Sequence, residues 1–531
     1  MRGRPFPMRM NTSHSPGLGS SRPAWASAGQ LRPGVCVAGY LRAELGMGEH
    51  GRLVLAAVQE AGIEAGSFAF TQTGSRQEHP FEGTAATDLN VNIVVVNADQ
   101  MLDFAAAVGP GFFDGRYIVG AWAWEVEEFP DRWPEAFALV DEIWANSEYS
   151  RRAIAAATRK PVYAFPLPIV SVAPRPGLGR ADFGLPDGFL FLFSFDFLSL
   201  VERKNPLGVI QAFSEAFAPG EGPTLVLKAI NGERCPADLA VVRRLVDERP
   251  DLMLLDGYLG HEQNAALVSI CDCYVSLHRS EGFGLTMAEA MAAGKPVIAT
   301  AYSGNLDFMD DHTAYLVPWS EGRVPDGCDP YPAGCRWAEP DLHAAAELMR
   351  RVVEHPEQGV AVGERAQSAV SALHGLAARA PFIRARYEEA QRVLVTRTER
   401  SGAARRGLRW AATAAADVTA STPYPPAMPS HPHPDEPGAR GDERRTGALA
   451  DQLDMLSLAL ALADVDVANR RVIDLTHRLI AELSEEGSLR DAANRLGDEA
   501  ATLRNELDAL RGSRAFRLLE KYSKLRRRIR R

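Results

Sequence analysis

No run of the roughly 18 apolar residues that marks a membrane-spanning helix occurs in this chain of 531 residues. The longest candidate, Phe189–Leu198, is short and broken by polar residues, so a helical spanning protein is excluded. Cysteine is scarce as well: there are six, and only Cys271 with Cys273 and Cys328 with Cys335 lie close together. Neither pair has the C-x2-C spacing of a zinc or redox motif, which leaves reduced thiols in a cytosolic protein, with a Cys328–Cys335 clip as the alternative. Positive charge is outnumbered over the chain as a whole. The net charge is −10, yet residues 511–531 carry ten Lys and Arg against the single acid Glu520, so that tail holds +9 and the rest −19. A body so acidic does not suit a phosphate backbone, which excludes nucleic acid as its partner. The first 33 residues have no acid and no secretory apolar core, and read as a disordered leader.

What is present is an ordinary globular composition, 46% hydrophobic and 24% charged, in a length that suggests several units. Residues 34–175 alternate β-rich runs with helical periodicity: Gly34–Ala38, then a glycine-rich turn and the helical stretch Arg52–Ala61, then Asn92–Asn97, Tyr117–Trp124 and Glu142–Ala145, the last leading to a helix near Ser147. After a proline-punctuated stretch the alternation restarts at Phe189–Phe197 and Asn205–Phe217, followed by strands at Thr224–Ile230, Leu252–Leu255, Cys273–Leu277, Pro296–Thr300 and Ala314–Val317. Such alternation predicts α/β architecture with parallel sheets covered on both faces, here as domains 34–175 and 176–380. A closing helix is expected at 381–395, then a Pro- and Ala-rich linker at 396–446. Leu489, Ala493, Leu496, Ala500, Leu503, Leu507 and Leu510 then recur at spacings of four and three, which makes 447–510 a helical, coiled-coil extension and a route to homo-oligomers; a lone amphipathic helix is the alternative. Residues 511–531 interleave Phe516, Leu518, Leu519, Tyr522 and Leu525 with cations, a pattern suited to an anionic membrane surface. The rival readings are a solvated coiled-coil end and a nucleic-acid patch.

The sharpest motif is Ser280-Glu281-Gly282-Phe283-Gly284-Leu285-Thr286-Met287-Ala288-Glu289-Ala290-Met291-Ala292-Ala293-Gly294-Lys295-Pro296. Gly282 and Gly284 permit close approach of a ligand, a helix begins near Gly284, and Gly294 with Pro296 ends it. The helix N-terminus then offers free amides at the carboxyl end of a parallel strand, a place suited to phosphate. Glu281 and Glu289 stand eight residues apart, ~12 Å along a helix, about the length of a nucleotide-sugar. Glu281 as a helix-dipole partner and Glu289 as a solvated face is the bland alternative; the apolar neighbours of Glu289 argue against it.

This stretch resembles the donor-site signature of the retaining GT-B glycosyltransferases, specifically glycosyltransferase family 4, and the resemblance extends over roughly 34–394. It implies two Rossmann-like domains facing a cleft, with nucleotide-sugar on the C-terminal one and acceptor on the N-terminal one. Glu289 would bind ribose, Glu281 would lie by the donor sugar, and the backbone of Gly282, Phe283, Gly284 and Leu285 would meet sugar and phosphate. Lys204 falls at the family lysine that neutralises the diphosphate. The family's earlier arginine is absent, with Arg203 its substitute and Lys228 on the next strand a second cation. Gly46 and Gly48 are expected donor contacts, a tight βα turn being the alternative. The histidine many relatives carry beside the donor sugar is replaced by Trp124 and Glu125. Glu125 could orient or deprotonate an acceptor hydroxyl, and Trp122 and Trp124 could stack on a sugar or simply pack the core. Asn97 and Asp99, at the end of the preceding strand, are further acceptor candidates, and His278 reads as structural.

The expectation is therefore a retaining, metal-independent glycosyltransferase moving a sugar from a nucleotide diphosphate sugar to a surface glycan or lipid-linked oligosaccharide. It needs no cofactor and no metal ligand: Asp272 and the pair Asp310-Asp311 are not placed as a donor-site clamp. The expected location is the cytoplasm, with peripheral attachment to the inner face of the cell membrane. The alternatives are a non-catalytic, glycosyltransferase-like scaffold or nucleotide-sugar sensor, and a sugar phosphorylase or epimerase of the same fold.

Overall fold

The structure, a computed structural model, describes residues 24–419, and of 399–419 the backbone alone. Two sheets of six parallel strands carry it. The first contains β1 Arg32–Gly39, β2 Ala65–Ala69, β3 Leu89–Val95, β4 Tyr117–Trp122, β5 Glu142–Ala145 and β6 Val162–Ala164, in the order β2-β1-β3-β4-β5-β6. The second contains β7 Leu190–Asp196, β8 Thr224–Ile230, β9 Leu252–Asp256, β10 Cys273–Ser276, β11 Val297–Thr300 and β12 Tyr315–Val317, in the order β12-β11-β10-β7-β8-β9. Helices follow most strands, as the βαβ alternation predicts, so the α/β, doubly covered architecture is as expected.

Strand β7 shows why these sequences form central strands. Its side chains alternate, so Phe191, Phe193 and Phe195 enter one buried cluster while Leu190 and Leu192 enter another on the opposite face. A strand apolar on both faces is stable only when helices cover both sides. The helix after it starts at Pro206, with the Asn205 side chain accepting from the Gly208 amide. Ser147 caps the helix Glu148–Ala157 in the same way.

Three segments depart from expectation. Order begins before residue 34: β1 starts at Arg32, and Trp25 packs edge-on against Phe68 and Phe112 while its Nε1 donates to the Val108 carbonyl. The leader of 1–33 therefore cannot extend past 23; residues 1–23 lie outside the described part. The closing helix is much longer than 381–395, running Leu376–Thr419. The linker thus cannot start at 396, because 396–419 contains no proline and many helix-favouring Ala and Arg residues; 420–446, the coiled coil 447–510 and the tail 511–531 lie outside the described residues. Third, an antiparallel hairpin, β13 Trp319–Arg323 with β14 Arg336–Pro340, was not foreseen. Its connecting loop carries Cys328 and Cys335, both buried and both free. No helix of the described residues is long and apolar enough to cross a membrane.

The closing helix returns to the first lobe. Ala380, Ile383 and Ala390 join the cluster of Val35, Val91 and Val119, and Arg386 pairs with the fully buried Glu142, which also accepts from Tyr117 Oη (2.8 Å) and Trp144 Nε1 (2.7 Å). A buried carboxylate left without its cation is costly. Arg386→Met should therefore destabilise the protein by about 3–5 kcal/mol, read as a lower urea midpoint; an unchanged midpoint would show that the helix does not anchor there.

Candidate functional site

The site lies where the carboxyl ends of β7 and β10 face the first lobe. Past β7 the chain turns through Leu200, whose φ of 67° lies in the left-handed region, into the helical turn Val201–Lys204. Past β10 it runs through His278 and Arg279 to Glu281. The two loops meet: Arg203 Nη1 reaches Glu281 Oε2 (3.1 Å) and the Ser280 carbonyl (2.9 Å), and Lys204 Nζ pairs with Glu281 Oε1. Glu281 and Arg203 are buried. Burial alone would raise the Glu281 pKa, but the Lys204 ammonium and the Arg203 guanidinium reverse that and hold it at about 2.

The backbone around Glu281 is held under strain. Ser303, with φ 78° and ψ −148°, occupies a region that costs other residues about 1–3 kcal/mol, and its hydroxyl accepts from the Glu281 amide (2.8 Å). Gly304 is forced by contact, since a Cβ there would lie 2.0 Å from the Gly282 carbonyl. Gly284, at φ 95°, caps the helix Leu285–Ala292, a conformation glycine adopts without cost. The amides of Gly282, Phe283 and Gly284 donate to no protein atom among the described residues. This leaves three donors beside two cations, at the start of a helix whose dipole favours negative charge.

The other lobe closes the site. Glu125 accepts from Tyr331 Oη (2.9 Å) through Oε2, its carbonyl accepts from Ser280 Oγ, and the Arg203 guanidinium lies 6.0 Å from the Tyr331 ring centre. The hairpin loop thus inserts Tyr331 between Glu125 and Arg203. Glu127 accepts from Tyr302 Oη (2.9 Å) and Arg336 Nε (2.9 Å), and Ser150 Oγ reaches the Trp124 carbonyl (2.5 Å) and the Gly282 carbonyl (3.3 Å). Asn146 Oδ1 is buried with no partner, and a Cβ on Gly282 would approach its amide nitrogen to 3.2 Å.

Not every expected residue joins this group. Trp122 and Trp124 are core residues, the first completely buried against Phe129 and Phe137, the second among Phe129, Trp133 and Tyr331. With no exposed face, neither can stack on a sugar, which corrects that expectation. Asn97 is taken up by structure, its Oδ1 accepting from the Ala123 amide (2.8 Å). Asp99 lies nearer the site: burial, and then the neighbouring Glu125 and Asp103, raise its pKa. Lys228 does not pair with Glu281 but donates to the Ala229 and Gly257 carbonyls, and burial pushes its pKa down to about 8. Gly48 is a tight-turn residue, since a Cβ would lie 2.3 Å from the Ala43 carbonyl, whereas Gly46 borders open space. The Phe283 side chain packs on Phe308, leaving its amide as the part that can meet a ligand. His278 is held by Tyr302 and Asn305. Glu289 is half-buried, and burial, then Glu49 of the other lobe, pushes its pKa up to about 8. Tyr331, Ser280 and Glu127 were missed; the Cys328–Cys335 segment containing Tyr331 reads as a connection, and only its buried aromatic could have signalled an insertion.

Residues 250–321, which carry Glu281 and Glu289, match the family described as Glycosyl transferases group 1. Over 69 residues the chain is 38% identical to the UDP-N-acetylglucosamine–peptide N-acetylglucosaminyltransferase GtfA subunit of Streptococcus pneumoniae, and equally to that of Streptococcus gordonii. This match spans 13% of the chain and only 14% of the length of these relatives. Among solved structures, the chain is similar to Anabaena HepE in complex with UDP and glucose (14% identity, TM-score 0.48, covering 67% of this chain and 100% of that one). It is also similar to sucrose-phosphate synthase from Thermosynechococcus elongatus (16% identity, TM-score 0.49, covering 67% and 99%).

The Glu281 carboxyl, lowered from 4.5 to about 2, contributes stability that is complete above the unfolded value and is lost progressively as pH falls from there through the folded value. Glu281→Gln should therefore flatten the fall in urea midpoint between pH 5 and pH 3 relative to the parent protein. Parallel curves in that window would show that the carboxylate is not ionised against Lys204 and Arg203.

Proposed function

We propose that the chain is a retaining, metal-independent glycosyltransferase of family 4 that moves a sugar from a nucleotide diphosphate sugar to a hydroxyl of a surface glycan or lipid-linked acceptor. The observation that carries this reading is the pairing of Lys204 and Arg203 with Glu281 directly before three amides, Gly282–Gly284, that donate to no protein atom among the described residues. Donors aimed at the place where negative charge develops stabilise a departing diphosphate without reorganising, so the arrangement suits departure of a nucleoside diphosphate. Lys204 and Arg203 would share their charge between Glu281 and the phosphates, while Glu289 would take ribose hydroxyls. Glu125, on the facing lobe, is connected to the same group through Tyr331 and Arg203 and would orient the acceptor hydroxyl. The match over 250–321 adds a family to this chemistry, and the UDP-sugar named in the GtfA relatives makes UDP-sugars the first donors to test.

Attachment to anionic membrane through 511–531 and oligomerisation through 447–510 belong to the same proposal, the tail bringing a cytoplasmic enzyme to a lipid-linked acceptor. A panel of UDP-, GDP- and dTDP-sugars, with and without EDTA, tests the donor. One nucleotide class should bind saturably and turn over in EDTA. Lys204→Ala should lower turnover about 100-fold, and Glu289→Ala should weaken donor binding about tenfold. Binding without any transfer to a hydroxyl would favour the sensor or scaffold reading, and binding to none would remove the donor site.

A further inference from the structure

Away from Glu281, three side chains that the proposed reaction does not use come together where the lobes meet. Glu49 stands in the first turn of the helix Gly46–Glu60, His79 lies on the long connection between β2 and β3, and His261 opens the helix His261–Ile270 of the second lobe. One ligand atom from each lies within 4.8 Å of the others, and the two imidazole rings meet edge-on at 6.0 Å.

The chemistry of the three is that of a divalent cation site. His79 Nδ1 is buried and has no hydrogen-bond partner, an unusual state for a group that ordinarily finds one. Both contacts from Arg52 to Glu49 fall on Oε2 (2.9 and 2.7 Å), which orients the carboxylate and leaves Oε1 without a partner among the described residues. His261 is exposed and so has room to turn inward. The backbone behind His79 is fixed, its amide donating to the Arg42 carbonyl (3.1 Å).

We infer that Glu49, His79 and His261 form a zinc site that clips the two lobes together. Two imidazoles and a carboxylate with an open fourth position match zinc preferences. Bonds of ~2.0–2.2 Å draw ligand atoms to roughly 3.3 Å apart, within the 4.8 Å that bounds them here, so the three side chains would turn toward the ion on binding. The same junction is already tied by other contacts. Tyr258 Oη accepts from the Arg76 amide (3.3 Å), the Arg76 guanidinium lies 4.5 Å from the Tyr258 ring centre, and Arg234 donates to the Gly74 carbonyl. The connection holding His79 thus already rests on the second lobe, and an ion would lock that contact. None of these ligands contacts Glu281, Lys204 or Arg203, although Glu49 acts electrostatically on Glu289 and the cluster therefore borders the proposed ribose position.

The test is calorimetric titration of Zn2+ into the metal-stripped full chain and its variants His261→Gln and His79→Gln. The parent should bind one more ion than either variant, or bind it at least tenfold more tightly, and Co2+ in its place should give the visible absorption of a four-coordinate nitrogen and oxygen site. His261→Gln alters an exposed side chain and should leave folding intact, which circular dichroism verifies. Equal stoichiometry and affinity in parent and variants would overturn the inference. Loss in one variant but not the other would also overturn it, because the ion would then not join the lobes.

Discussion

The structure around the cleft depends on one constraint, that the buried carboxylate of Glu281 must be neutralised. An isolated charge cannot remain in that place, so the loop after β7 has to deliver Arg203 and Lys204 to it. The loop does so at a conformational cost at Leu200, and the segment after β11 accepts another at Ser303. Both residues adopt positive φ without being glycine, and both flank the same carboxylate, as expected where surrounding contacts override local preference. Further bonds hold the cations in turn. The Arg279 amide donates to the Arg203 carbonyl (2.8 Å), and the Ala338 amide of β14 donates to the Arg279 carbonyl (2.9 Å). The hairpin is thereby tied to the charge cluster it covers.

The same bonds decide how the lobes meet. Ser280 and Gly282, adjacent to Glu281, accept or donate hydrogen bonds to Glu125 and Ser150 of the other lobe, and the Glu148 amide donates to Asp307 (2.8 Å). With Arg203, Lys204, Glu281 and Glu125 all present, the local formal charges balance. A diphosphate added to that balance has to take its share of Lys204 and Arg203 from Glu281, and the undonated amides of Gly282–Gly284 offset the added negative charge.

Much of this was legible in the sequence. The apolar β runs and the Gly284 and Gly294 punctuation depend on local chemistry, and β5 and β8 match the expected strands end to end. β2 was missed because Ala-Gly-Ser-Phe-Ala has little β preference and is held at the sheet edge by β1 and a single bridge from Ser67 to Ala85. The 319–340 hairpin was missed because its residues are recruited by the other lobe: Tyr331, Cys335 and Trp337 pack in the first lobe's core. In the site, Glu281 is marked by its glycine-flanked motif, while Lys204 and Arg203 are anticipated only through the family resemblance that this motif carries. The burial of Trp122, the engagement of Lys228 by backbone carbonyls and the meeting of Glu49, His79 and His261 could not be anticipated, since each depends on how distant segments pack.

The two lobes are tied along both edges of the cleft, and the chain limits where any relative motion could be absorbed. It passes between lobes twice, once from β6 to β7 and once at Gly375, which separates the helix Pro356–His374 from the closing helix. The helix before that break packs on the second lobe, against Pro296 and the helix Leu285–Ala292, and the one after it packs on the first. Separation of the lobes would break the Ser280–Glu125 and Arg76–Tyr258 contacts and withdraw Tyr331 and Trp337 from the first lobe's core. Lys204 and Arg203 are held on Glu281 within one lobe, so of this group only Glu125, reached through Ser280 and Tyr331, depends on how the lobes meet.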